Sequence, residues 1–321
     1  GWKADKSTRG ALQDVSSRQD LMSVRDMAAA VKDAGGVDLL NFDACLMACG
    51  SKRLSMFNEL IAGVRQAVPD RVIQVGGSIS FAPESEGAAA KWLSDDTRHM
   101  LAELTPKPDQ VKVTVNTSQV NDIEQMDERD IVGTSLAEPD GLRAYSNMVV
   151  PSTPRFFEEH VRRLSAAGIQ SAFQFYNINS YETVERLVRR GAYKGPLVMN
   201  WVAIGGGMDA PNIYNLANFP RAIPDGSMLT VESSMLNTLP INMMGIAMGL
   251  HVRCGIDGAS GLPVRAMGAE HNEKSRRLTA AGLSPGRNAQ GLRSRTPPSA
   301  RSPRPPPPTT RCPRAPRHPA R

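Results

Sequence analysis

The sequence predicts an α/β protein: a (β/α)8 TIM-type barrel that lacks its first strand and carries a disordered C-terminal tail. Three observations predict it. Short apolar runs of strand length alternate with stretches of helical period, seven strands in all. The 321 residues, 40% of them hydrophobic, suffice to bury a core of barrel size. No apolar strand precedes Leu21, so the opening strand is missing. Right-handed crossovers wind such a series into a parallel sheet, which closes as a barrel. A doubly wound open sheet is the alternative.

The elements follow in order. A helix over residues 21–34 leads to a strand over 37–43. Leu54, Phe57, Leu60, Ile61, Val64 and Val68 then lie on one helical face that Pro69 stops, and residues 71–75 form the next strand, ending at Gly76, Gly77 and Ser78. A helix over 88–104 precedes the strand 111–115. After a more polar stretch, Thr153 and Pro154 supply an N-cap and first-turn signal and Gly168 a stop, before the strand 170–176. The unit recurs as helix 181–190 with strand 197–202, helix 212–221 with strand 228–232, and helix 239–248 with strand 250–256.

Charge and cysteine usage narrow the function classes. The formal charge is +6, but residues 276–321 hold eleven arginines and no Lys, Asp or Glu, so the remainder stands at about −5. The basic balance belongs to the tail. Four cysteines (Cys45, Cys49, Cys254, Cys312) make no disulfide framework, which points to a reducing, cytoplasmic setting. No apolar run reaches the length of a membrane span and no signal pattern opens the chain, so neither membrane insertion nor secretion is expected.

Chemistry in such a barrel sits at the C-terminal strand ends. Those ends carry Asn41 and Asp43, then Gly76, Gly77 and Ser78, then Thr117 and Ser118. Further along they carry Tyr176 and Asn177, Asn200, Glu232 to Ser234, and Arg253 with Asp257. Glycines followed by Ser offer backbone N–H groups to a carboxylate or phosphate, or else make a tight turn. Arg253 alternates with Val252 and Cys254 and faces the buried side of its strand. A guanidinium there requires an anion, either a carboxylate ligand or a structural ion-pair partner.

These residues carry a resemblance. The helix with Phe57, Asn58, Glu59, Leu60 and Ile61, the strand entering Gly76 and Gly77, and Thr117 with Ser118 match one family. So do Arg189, Arg190 and Gly191 with Lys194 to Leu197, and above all residues 249–256. From about residue 51 to 256 the chain resembles the β-keto acid cleavage enzymes, whose founding activity is 3-keto-5-aminohexanoate cleavage in lysine fermentation. The resemblance implies a zinc-binding transferase that reacts a β-keto acid with acetyl-CoA and releases acetoacetate and a CoA ester. It implies that Arg253 clamps the substrate and that Gly76, Gly77, Ser78 and Ser118 form substrate loops. A homo-oligomer is a further expectation.

The metal site departs from the family. Its His-x-His pair is replaced by Asn41, Phe42 and Asp43, and its strand-eight glutamate by Asp257, followed by Gly258. Amide and carboxylate donors make a poor zinc site, so Asp257 is a degenerate ligand and the activity is expected to be impaired. The first fifty residues resemble a fragment of the clostripain-like cysteine peptidases, with the strand before Asn41 running into Cys45 as the alternative nucleophile. There a Gly-Trp pair follows the activating histidine; the chain starts at Gly1 and Trp2, so Cys45 is expected to remain an inert thiol.

Residues 283–321, rich in Pro and Arg, cannot bury enough apolar area to fold. Without interleaved aromatic residues they make a weak nucleic-acid ligand, although a nucleic-acid-binding tail on an inactive barrel is the third functional reading. A shifted reading frame after Ile256 is the bland account of that composition. The expected division is therefore a peptidase-like fragment over 1–50 supplying a helix and a strand, a barrel over 51–282, and the tail over 283–321.

Overall fold

The structure is a computed structural model. It describes residues 2–5, 11–14, 21–22, 38–42, 54–76, 81–83, 90–92, 94–115, 143, 146–147, 153–205, 207–233 and 238–253. Its centre is a seven-stranded parallel sheet of β4 (Leu39–Phe42), β5 (Val72–Val75), β8 (Gln110–Val115), β9 (Gln170–Phe175), β10 (Val198–Ala203), β11 (Met228–Ser233) and β12 (His251–Val252). Spatial order equals chain order throughout, from β4 at one edge to β12 at the other. A doubly wound sheet reverses direction at a switch point, and this one does not, so that alternative falls. The winding is consistent with an incomplete barrel.

Between the strands run α1 (Leu54–Ala67), α2 (Asp95–His99) with a 3-10 extension over Met100–Glu103, α3 (Pro154–Ala167), α4 (Tyr181–Arg189), α5 (Ile213–Ala222) and α6 (Thr238–Ala247). The capping of α3 is as its sequence requires. Thr153 Oγ1 accepts from the Phe156 amide, Pro154 occupies the first turn, and Gly168 ends the helix at φ +72°.

Alternation along the strands separates two faces. Val111, Val113, Val115, Phe173, Phe175, Met199, Trp201, Leu229 and Val231 are buried in the apolar core. They pack outward on the helices: Phe175 and Trp201 both meet Phe219 of α5, with ring centroids 5.5 and 6.2 Å apart. A Cβ on Gly245 of α6 would lie 3.2 Å from Val252, so the absent side chain lets α6 approach β11 and β12 closely. Burying each aromatic contributes about 1.5–3 kcal/mol, which makes this outer layer the main source of stability.

Two expectations are corrected. The helix expected over 21–34 does not begin at Leu21: Leu21–Met22 forms strand β3, which joins β1 (Trp2–Asp5) and β2 (Ala11–Asp14) in an antiparallel sheet, and residues 23–34 lie outside the described residues. The helix expected over 88–104 starts later. Ala90–Trp92 is strand β7, antiparallel to β6 (Phe81–Pro83), and the helix begins only after Ser94, whose hydroxyl accepts from the Thr97 amide. An alanine run favours helix, but hairpin pairing and the serine cap set the boundary. The tail over 283–321 lies outside the described residues. Among the described residues no helix is long and apolar enough to cross a membrane.

Candidate functional site

The sheet face opposite the helices is polar. Register aligns Gln174 of β9 with Asn200 of β10 and Thr230 of β11, while Lys112 lies one layer lower, level with Ala172. Lys112, Glu232 and Asn200 are only 2%, 4% and 5% exposed, so two charged groups and an amide are held away from water on one surface. Such burial is costly unless the groups satisfy one another.

They do so around Glu232. Arg253 Nη1 donates to both carboxylate oxygens, at 2.8 and 2.7 Å, and Asn200 Nδ2 donates to Oε2 at 2.9 Å. Burial pushes the Glu232 carboxyl up, but Arg253, Lys112 and the hydrogen bonds outweigh it, and the group lies below its ordinary value. Among the described residues Arg253 meets the carboxylate of Glu232, so an ion-pair partner of the kind weighed above is present. The strand position of Arg253 is fixed by its own amide, which donates to Val231 O at 2.9 Å, and by its carbonyl, which accepts from Asn242 of α6.

Three polar-face residues hold buried atoms without a hydrogen-bond partner among the described residues: both amide atoms of Asn41, Oε1 of Gln174 and Oδ1 of Asn200. A buried polar atom without a partner costs about 1–3 kcal/mol, so these atoms would gain from a polar group or water placed against them. The loop after β10 is tied to the end of β9. Asp209 accepts from Trp201 Nε1 and from the Ile178 amide, and its own amide donates to Tyr176 O, which ties the β9 and β10 loop regions together. Burial raises the Asp209 pKa against those two hydrogen bonds.

The expected site residues divide as follows. Arg253 is on the polar face, as its alternation requires. Gly76 is buried at the end of β5, and its N–H already donates to Phe42 O at 2.6 Å, so that amide is spent inside the sheet. Gly77, Ser78, Ser118, Asp257 and the alternative nucleophile Cys45 lie outside the described residues. Sequence reasoning placed Glu232 and Asn200 at strand ends without a partner and missed Lys112 and Gln174. The signal for both was there: a Lys flanked by Val111 and Val113, and a Gln flanked by Phe173 and Phe175, in otherwise apolar strands.

The zinc site that the resemblance implies does not fit the described residues. No group of three or more His, Cys, Asp or Glu side chains gathers among them. Asn41 offers an amide where imidazole is needed, and the Glu232 carboxylate is taken up by Arg253 and Asn200. His99 and His160 pair with each other, Nδ1 to Nδ1 at 3.1 Å, between α2 and α3.

Comparison with known proteins gives one family. The family model described as beta-keto acid cleavage enzyme matches residues 47–275. Among curated proteins nothing matches. Among solved structures, the carboxyl transferase domain of Rhizobium etli pyruvate carboxylase is similar in its forms with 3-bromopyruvate and with oxamate and biotin. Both are 12% identical with a TM-score of 0.32, covering 80% and 82% of this chain and 44% and 45% of theirs. The chain thus spans less than half the length of those chains, and a likeness that slight carries no argument.

Proposed function

The chain belongs to the beta-keto acid cleavage enzyme family, and from that premise we propose that it binds a β-keto acid on the polar face of the sheet, with Arg253 as the partner of the substrate carboxylate. The observation that carries this reading is the buried cluster of Arg253, Lys112 and Glu232. It is a charged group held on the polar face beside the buried amide atoms of Asn41, Gln174 and Asn200 that have no hydrogen-bond partner among the described residues, a surface where a polar anionic ligand would find both charge and hydrogen-bonding groups. Gln174 and Asn200 add buried amide oxygens that can accept from a hydroxyl or water at the ligand.

The reading extends to the rest of the molecule. The sheet is taken as a (β/α)8 barrel short of one strand, its ligand entering at the C-terminal strand ends. Acetyl-CoA is the co-substrate proposed from the family, with acetoacetate and a CoA ester as products, and a reducing cytoplasm the proposed setting. Turnover is impaired, because the metal donors do not fit.

Calorimetric titration with acetoacetate and metal analysis test this together. The purified chain is expected to bind acetoacetate, to lose at least tenfold in affinity on Arg253→Lys, and to hold well under one zinc per chain. Undiminished binding by the Arg253→Lys variant, or stoichiometric zinc together with acetyl-CoA-dependent cleavage, would overturn it.

A further inference from the structure

We infer that Glu232 is the positioning residue for Arg253: it anchors the guanidinium through one nitrogen so that the group stays on the polar face to receive a ligand carboxylate. The inference rests on the reading that Arg253 binds the β-keto acid.

The geometry supports anchoring in three ways. Both Glu232 oxygens engage the same nitrogen, Nη1, so the contact straddles one corner of the guanidinium instead of matching its two-nitrogen fork. The carboxylate is itself fixed from a second direction by Asn200 Nδ2, and Asn200 sits on the neighbouring strand in register with Thr230. Arg253 beside it, with the charge of Lys112 from two layers lower in register, keeps the buried Glu232 carboxyl ionised and able to hold the arginine. An arginine side chain without such an anchor retains rotamer freedom that ligand binding would have to overcome.

The sign of the effect separates positioning from plain electrostatics. Removing a carboxylate near an anion site should, by Coulomb attraction alone, tighten anion binding. Removing an anchor should weaken it. Full-length protein is titrated with acetoacetate in four forms: wild type, Glu232→Gln, Arg253→Gln and the double variant. Glu232→Gln is expected to bind at least tenfold more weakly than wild type, yet to change affinity less than twofold in the Arg253→Gln background, because it acts through a group no longer there.

Glu232→Gln removes a buried counter-charge and can cost the fold. The paired change Lys112→Met with Glu232→Gln removes one charge of each sign, and Lys112→Met alone is its reference. The pair is expected to keep the wild-type circular dichroism and to bind tenfold more weakly than Lys112→Met. Unchanged or tighter binding by either folded variant against its reference, or an equal Glu232→Gln effect in both backgrounds, overturns the assignment while leaving the reading of Arg253 intact. Failure of the wild-type chain to bind acetoacetate overturns both.

Discussion

His99 and His160 illustrate how a residue pair unseen in the sequence governs a measurable property. They come from elements 61 residues apart, share a 3.1 Å contact, and both stack on Phe156, whose ring also carries the Arg98 guanidinium at 3.7 Å. Burial first, then the neighbouring His99, Arg98 and Arg163, lowers His160 to about 3; burial and Arg163 lower His99 against the pull of Asp95 and Glu159. Burial keeps the His160 ring neutral in the fold down to about 3, whereas the unfolded chain takes up that proton near the ordinary histidine value of 6.5. The stability this ring contributes is present above 6.5 and is lost as pH falls from there toward about 3, and the downward shift of His99 acts in the same direction. The unfolding free energy from urea titration is therefore expected to fall between pH 7 and 5, by up to about 1.4 kcal/mol per pH unit for His160. Replacing His160 by Leu should flatten that slope; an unchanged slope would contradict the assignment. The sequence placed both histidines on helices, but nothing in it says that two helices sixty residues apart share a face. Arg253 was legible by alternation in one strand, whereas its partner Glu232 depends on the register between two.

At the scale of elements, two seams of the parallel sheet are held by two residue pairs each, β11 with β12 at the edge and β5 with β8 inside the sheet, the latter through Gln74 with Gln110 and Val75 with Val111. Asp109 reinforces this inner seam. Its carboxylate accepts from the Ile73 amide at 2.7 Å and from Arg65 of α1 at 2.6 Å, while its backbone amide donates to Ile73 O. One side chain therefore clamps a helix and two strands. Asp109→Ala is expected to cost about 1–3 kcal/mol in chemical denaturation, chiefly by leaving the Ile73 amide without its acceptor, and a loss under 0.5 kcal/mol would refute the clamp. All seven strands of this sheet were legible, because apolar runs bounded by Gly, Pro and Asn are a local signal. The β6–β7 hairpin was not. Its short strands offer no alternation, and Ala88 to Ala90 imitates the start of a helix.

For the molecule as a whole, β4 occupies an instructive place. It lies before residue 47, outside the family match, yet it pairs with β5 over four residues and forms one edge of the sheet. A chain beginning at residue 47 would present β5 as the edge instead. It is expected to melt at a lower temperature and to aggregate with rising concentration by light scattering, where an unaltered melting temperature would show that β4 contributes nothing. The winding direction was readable from the alternation of elements, but the partner of the edge strand was not, since a four-residue strand carries no address for its neighbour. The division of the sheet into an apolar outer face and a polar inner one has a last consequence. The aromatic contacts pack beneath the helices, and the ligand surface proposed above lies on the other side of the same strands. Polar groups can thus be exchanged on the inside without unseating the shell, so a change of inner donors is expected to cost little in fold stability.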